Sequence, residues 1–215
     1  MRPLVVFDLD GVLIDSRQAN VEAFSYGLEK MGLGRPPAEA VSRLIGRPAL
    51  DMLALLGCPR ERCAEVFSRW VEPYYLRHLP ELARPMPGAR EALQALAREG
   101  ARIGACTSGS RTVQEAALEA VGLRGSIERL HTPCQSGFRK PDPRFLRELI
   151  EQFGEVERVL HVEDTEEGIQ MGQACGAVTL YATYGFGRLA GCRPDFHIDH
   201  LGQVPEILGR LLAAR

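Results

Sequence analysis

Two carboxylates stand two residues apart near the start of the chain, in Phe7-Asp8-Leu9-Asp10-Gly11. Carboxylates are seldom fully buried unless they are paired or hold a metal. Residues i and i+2 of a strand point the same way, so Asp8 and Asp10 can face one reacting centre. Short Asp-x-Asp-Gly clusters also occur in ordinary loops. The flank separates the two readings. Leu4-Val5-Val6-Phe7 reads as a buried strand. A strand that delivers two acids to its C-terminal end builds a site, because open parallel sheets hold ligands there. Gly11 lets the chain turn past them.

Three later segments carry further chemistry. Cys106-Thr107-Ser108-Gly109-Ser110 follows a strand pattern and opens a helix. A hydroxyl and free N–H groups at a helix start suit an anion such as phosphate, although alone the segment reads first as an ordinary N-cap. Lys140 is set between a glycine-containing loop and Pro141, which restricts it to an extended conformation. Alone it is an exposed loop lysine; rigidly placed, it is a point charge for phosphate. His161-Val162-Glu163-Asp164-Thr165 ends another strand pattern in two adjacent acids. Asp164 alone is a helix cap. With Asp8 and Asp10 converging from a neighbouring strand, the acids read as a hard-cation site. A few carboxylates, with waters and a substrate phosphate, describe Mg²⁺.

The elements that must position these residues follow from periodicity. A helical pattern over 17–31 ends at Gly32 and Gly34, and more follows at about 37–45, 48–56 and 59–78. Pro80, Pro85 and Pro87 then form a breaker cluster. Strands and helices alternate afterwards: a helix to about 99, a strand at 101–107, a helix at 110–121, a short strand at 127–132 and a helix from Pro143 to Gly154. A strand at 158–163, a helix at 165–175, a strand at 177–183 and a helix at 202–213 complete the pattern. Repeated βαβ units predict an α/β fold, a Rossmann-like parallel sheet core with helices on both faces. The all-helical stretch is inserted after the first strand, where it hangs over the strand ends. The expected division is a core of residues 1–15 and 85–215 and a helical cap of 16–84.

Asp-x-Asp, Thr/Ser, Lys and Glu-Asp, in that order at successive strand ends, resemble the four motifs of the haloacid dehalogenase-like superfamily of phosphatases. Phe7 to Leu13 matches the first, Cys106-Thr107-Ser108 the second, Lys140-Pro141 the third and Glu163 to Ile169 the fourth. The insert looks like the family's C1-type cap. The fourth motif is similar to that of the phosphoglycolate phosphatase and β-phosphoglucomutase branch. Gly168 stands where other branches carry a further aspartate, so the resemblance implies Glu163 as the motif's second acid. The resemblance implies Asp8 as nucleophile, Asp10 as general acid and base, and Thr107 and Lys140 on the phosphoryl oxygens. Ser108 and Gly109 join the substrate contacts. Mg²⁺ is expected on Asp8, the Asp10 carbonyl, Asp164 and Glu163. An acid at position 10 favours phosphate chemistry over carbon–halogen cleavage. The mutase branch usually carries a histidine shortly after the first motif, where Arg17-Gln18-Ala19-Asn20 has none. A phosphatase of small phosphomonoesters is therefore the leading expectation, ahead of a phosphosugar mutase or a non-catalytic regulatory module. In the cap, Arg43-Leu44-Ile45-Gly46-Arg47-Pro48 breaks two helical patterns. Arg47 is either a ligand for the non-reacting anionic end of a substrate or a solvated surface arginine.

The bulk numbers agree with such an enzyme. The chain has 215 residues, 45% hydrophobic and 25% charged, with a net charge of −2 and no basic run. Nucleic acid is not expected as a partner, nor a membrane, since no apolar stretch approaches spanning length. A small phosphorylated metabolite is the expected partner, and the oligomeric state stays open. Asp8 comes too early for a signal peptide. The six cysteines contain no Cys-x-x-Cys pair, so they are expected reduced and mostly buried in a cytoplasmic protein.

Overall fold

The computed structural model describes residues 1–214; Arg215 lies outside them. Strand β1 (Arg2–Phe7) is followed by the two-residue strand β2 (Ile14–Asp15) and then by helices α1 (Arg17–Lys30), α2 (Ala38–Ser42), α3 (Ala49–Leu55) and α4 (Arg60–Val66). A π-helical turn at Phe67–Val71 leads into α5 (Glu72–Leu82), and β3 (Arg84–Pro85) follows. The remainder alternates: α6 (Ala89–Arg98), β4 (Arg102–Cys106), α7 (Arg111–Ala120), β5 (Arg129–His131) and α8 (Pro143–Glu151). It closes with β6 (Val156–Glu163), α9 (Glu166–Ala174), β7 (Val178–Ala182), β8 (Phe196–Ile198) and α10 (Gln203–Ala213).

The main sheet is parallel, in the order β5-β4-β1-β6-β7-β8. Strand β1 is its centre: Leu4, Val5, Val6 and Phe7 are wholly buried, each worth about 1.5–3 kcal/mol of apolar burial. The chain moves to one side of β1 for β4 and β5, then crosses to the other side for β6. That reversal makes β1 the topological switch point, where doubly wound sheets bind ligands. Register does the rest. Phe7 lies level with Ala105 on β4 and with Val162 on β6, so Asp8 comes off the sheet beside Cys106-Thr107 and Glu163-Asp164.

Some elements differ from the sequence pattern. Strand β8 carries no period to detect, because three residues cannot show one. Pro80 sits inside α5, which runs on to Leu82. It falls in the last turn, where it disturbs little of the remaining helix. Three of the six cysteines are buried, fewer than expected; Cys134 is exposed, and all six are free thiols. No helix among the described residues is long and apolar enough to cross a membrane.

Candidate active site

Asp8 leaves β1 with its N–H still bonded to the Val162 carbonyl at 2.9 Å, and its side chain is 2% exposed. Gly11, at φ +85°, turns the chain beyond Asp10. A Cβ there would collide with Asp164 Oδ2 and crowd Phe186, so this glycine supplies both the turn and the room. Asp10 is part-buried. Its Oδ1 accepts from Ser16 Oγ, and its Oδ2 accepts from Gln114 Nε2 at 2.7 Å. Asn20 Nδ2 donates to Ser16 Oγ at 3.2 Å and to Tyr75 Oη at 3.3 Å, tying this side of the site to α5.

Lys140 reaches the same place from the loop after β5. Its side chain is 5% exposed. The ammonium lies 3.0 Å from Asp8 Oδ1 and donates to Glu163 Oε1. The Asp8 contact is an ion pair outside hydrogen-bond alignment, so Oδ1 has no hydrogen-bond partner among the described residues. Glu163 is saturated on its other oxygen, which accepts from Asp164 N and Thr165 N at 3.0 Å and Thr165 Oγ1 at 2.9 Å. Gly168 is what lets α9 approach, because any Cβ there would run into the Glu163 carboxylate.

Asp164 does not cap α9. Thr165 does, accepting from Gly168 N at 3.2 Å. Asp164 instead turns one oxygen to the loop after β7, where Phe186 N (2.6 Å) and Gly187 N (3.0 Å) donate to Oδ2. Its Oδ1 is buried with no partner among the described residues. Likewise Ser110, not Thr107 or Ser108, caps α7, accepting from Val113 N at 3.3 Å. Thr107 is buried, Ser108 and Gly109 line the adjoining hollow, and none of the three is consumed as a cap.

The charges explain the titration of the site. Burial pushes the Asp8 carboxyl up to about 6; Lys140 opposes this and Glu163 reinforces it. Burial, with the negative charges of Glu163 and Asp8, pushes Asp164 up to about 8 against the Gly187 and Phe186 N–H groups. Asp10 is also raised by burial, although the Ser16 hydrogen bond opposes the shift. Burial alone would lower Lys140, but the charges of Asp8 and Glu163 hold it above its ordinary range.

Oxygens of Asp8, Glu163 and Asp164 lie within 4.8 Å of one another. Lys140 pairs with two of these buried acids, Asp8 and Glu163, and Asp164 Oδ1 has no donor among the described residues. An all-oxygen set with excess negative charge fits a hard divalent cation. Asp8 and Asp164 have oxygens to offer it; Glu163 is already engaged on both. Asp10's carboxylate lies outside the three-acid group and is held by Ser16 and Gln114.

A cleft of about 810 Å³ opens beside Lys140, Thr165 and the Phe186–Gly187 turn. Lys140 and Thr165 lie on its sheet side, and Arg47 and Pro48 on the side of the helical segment. Gly46, at φ +99°, brings the turn before Arg47 so close that a Cβ would sit 3.0 Å from Thr165 Cγ2. Arg47 therefore stands at the mouth, with no ion-pair partner among the described residues. A smaller hollow of about 50 Å³ adjoins Asp10, with Phe24, Met52 and Tyr75 among its walls.

Sequence reading did not single out Gln114, Ser16 or the Phe186–Gly187 amides. Only the last left a trace, a Gly185-Phe186-Gly187 stretch at another strand end.

An α/β sheet with an acid pair, a lysine and a second acid pair at its switch point defines a phosphoryl-transfer class of site. The haloacid dehalogenase-like hydrolase family model matches residues 3–176, and the chain belongs to that family, as a phosphatase of phosphate monoesters. It is 28% identical to a phosphoglycolate phosphatase of Mesorhizobium japonicum, over 99% of this chain and 98% of the relative. Solved structures share the fold. One, a predicted phosphoglycolate phosphatase from Haemophilus somnus, superposes with a TM-score of 0.86 at 23% identity, over 95% of this chain and 97% of the other. CbbY from Rhodobacter sphaeroides, solved with phosphate, gives 0.78 at 18% identity, over 95% and 96%.

Proposed function

We propose that this phosphatase is Mg²⁺-dependent, works through an aspartyl-phosphate on Asp8, and takes small phosphomonoesters of the phosphoglycolate kind. The observation that carries the reading is the buried Asp8–Lys140–Glu163 group beside an Asp164 oxygen with no partner. Asp8 and Asp164, with the Asp10 carbonyl, would hold the cation. When bound it supplies positive charge that offsets repulsion between carboxylate and phosphate.

The chain's own residues do the rest. An Asp8 oxygen attacks phosphorus, the bond to the ester oxygen breaks, and Asp10 gives that oxygen a proton. Water then attacks the same phosphorus, Asp10 takes its proton, and the Asp8–phosphorus bond breaks to release phosphate. Lys140, Thr107 and the Ser108–Gly109 backbone steady the phosphoryl oxygens as charge spreads over them. Burial keeps bulk water from the phosphorylated aspartate. Residues 16–84 act as a cap over a core of 1–15 and 85–215. Support comes from the β2–β3 ribbon, in which Ile14 pairs with Pro85 and Asp15 with Arg84, so the insert leaves and returns at one point. Arg47, at the cleft mouth, is the candidate for a substrate's second anionic group.

One assay tests the reading: phosphate release from p-nitrophenyl phosphate and phosphoglycolate, beside conversion of β-glucose 1-phosphate, with Mg²⁺ and with EDTA. Mg²⁺-dependent release that vanishes in Asp8→Asn is the expected result. Isomerisation of the sugar phosphate without release, or no turnover of any of the three, would defeat it.

A further inference from the structure

We propose that Gln114 is the positioning residue for Asp10, holding its carboxylate in the orientation that acid–base catalysis needs; this rests on the role given to Asp10 above. Asp10 lies beyond the end of β1, on the turn that Gly11 makes, so the sheet itself does not fix its carboxylate. Two donors do, one on each oxygen: Ser16 Oγ on Oδ1 and Gln114 Nε2 on Oδ2. Each oxygen keeps a second lone-pair site for the substrate's leaving group or for water.

Gln114 is placed for this by more than the one hydrogen bond. It is 2% exposed, on the second turn of α7, and a donor on a helix is held better than one on a loop. Its amide crosses directly over Gly109, where a Cβ would overlap Nε2, Cδ and Cγ. Gly109, just after the second motif, thus makes the passage through which Gln114 reaches Asp10. The amide also lines the small hollow beside Asp10, so it borders the space a leaving group would enter. A neutral amide orients the acid without fixing it as an anion, as a lysine or arginine would. Among the described residues Gln114 Oε1 is buried with no partner, and the side chain's hydrogen bond is the one to Asp10.

The test compares phenyl phosphate with p-nitrophenyl phosphate at saturating Mg²⁺. The two share a ring but differ in how much their leaving oxygen needs a proton. Gln114→Met keeps the length of the side chain and removes the donor. The expected result is a fall in kcat on phenyl phosphate of about ten- to a hundredfold, the range for one hydrogen bond to a charged group. KM should hold within about twofold, and p-nitrophenyl phosphate should lose less than about threefold. In an Asp10→Asn background, Gln114→Met should cost nothing further. Equal losses on both substrates, a loss carried in KM, or a further loss in the Asp10→Asn background would overturn the proposal. Asp10→Asn measured alone tells the two failures apart. If it loses equally on both substrates, the acid role of Asp10 falls and the proposal with it. If Asp10→Asn shows the split and Gln114→Met does not, the proposal alone falls.

Discussion

Replacing Lys140 by methionine tests the charge balance of the whole site. The ammonium stands 3.0 Å from Asp8 Oδ1 and touches Glu163, with both acids almost fully buried. At that distance one pair is worth about 5 kcal/mol at an effective dielectric near 20. Removing one partner of a buried pair typically costs about 3–5 kcal/mol, because the other charge stays buried. Two carboxylates lose their cation together, so the upper half of that range is expected while they are ionised. The sign with pH follows from Asp8. Its folded carboxyl already titrates at about 6, above the ordinary value of 3.8, and Lys140 is the main group holding it down. The share lent by the Asp8–Lys140 pair exists only while Asp8 is ionised, so it is present above about pH 6 and fades as pH falls through that value. Urea unfolding of wild type and Lys140→Met in EDTA, at about pH 8 and about pH 5, should show a deficit of about 4 kcal/mol that shrinks at the acid end as the Asp8 share is lost. Turnover of p-nitrophenyl phosphate should fall at least about a hundredfold, the usual cost of removing one stabiliser of a developing oxyanion. A deficit equal at both pH values, or a rate loss under about tenfold, would refute the argument.

Three other outcomes follow from the same geometry. Asp164→Ala should raise the Mg²⁺ concentration needed for half-maximal turnover by at least about tenfold, with Glu163→Ala raising it less; an unchanged requirement in Asp164→Ala would move the cation elsewhere. Gly168→Ala puts a methyl into the Glu163 carboxylate, and a loss of about 1–3 kcal/mol in urea unfolding is expected, against near-neutrality at Gly209, where a Cβ meets nothing. Arg47→Ala should raise KM for phosphoglycolate while leaving p-nitrophenyl phosphate almost untouched, with Arg47→Lys recovering only part; equal effects on both would make Arg47 a surface charge.

The sequence by itself determined which polar groups end the strands. Asp8 was legible because an apolar run ending in an acid is a local signal, and strand ends of a parallel sheet are where ligands bind. The order of Thr107, Lys140 and Glu163-Asp164 at later strand ends was legible for the same reason, and the caps Asp142 and Thr165 announced their helices within three residues. The tertiary structure alone decided how those groups are engaged. Glu163 turns to Lys140, 23 residues away, and Asp164 to amides 22 and 23 residues beyond it. Gln114 meets Asp10 across 104 residues. Spacing along a chain cannot specify such pairs, because they depend on which helix faces which strand end and on the gaps left by Gly11, Gly109 and Gly168. A hydrophobic pattern sets which face of each element is buried; which polar atoms then meet is settled by register and close packing.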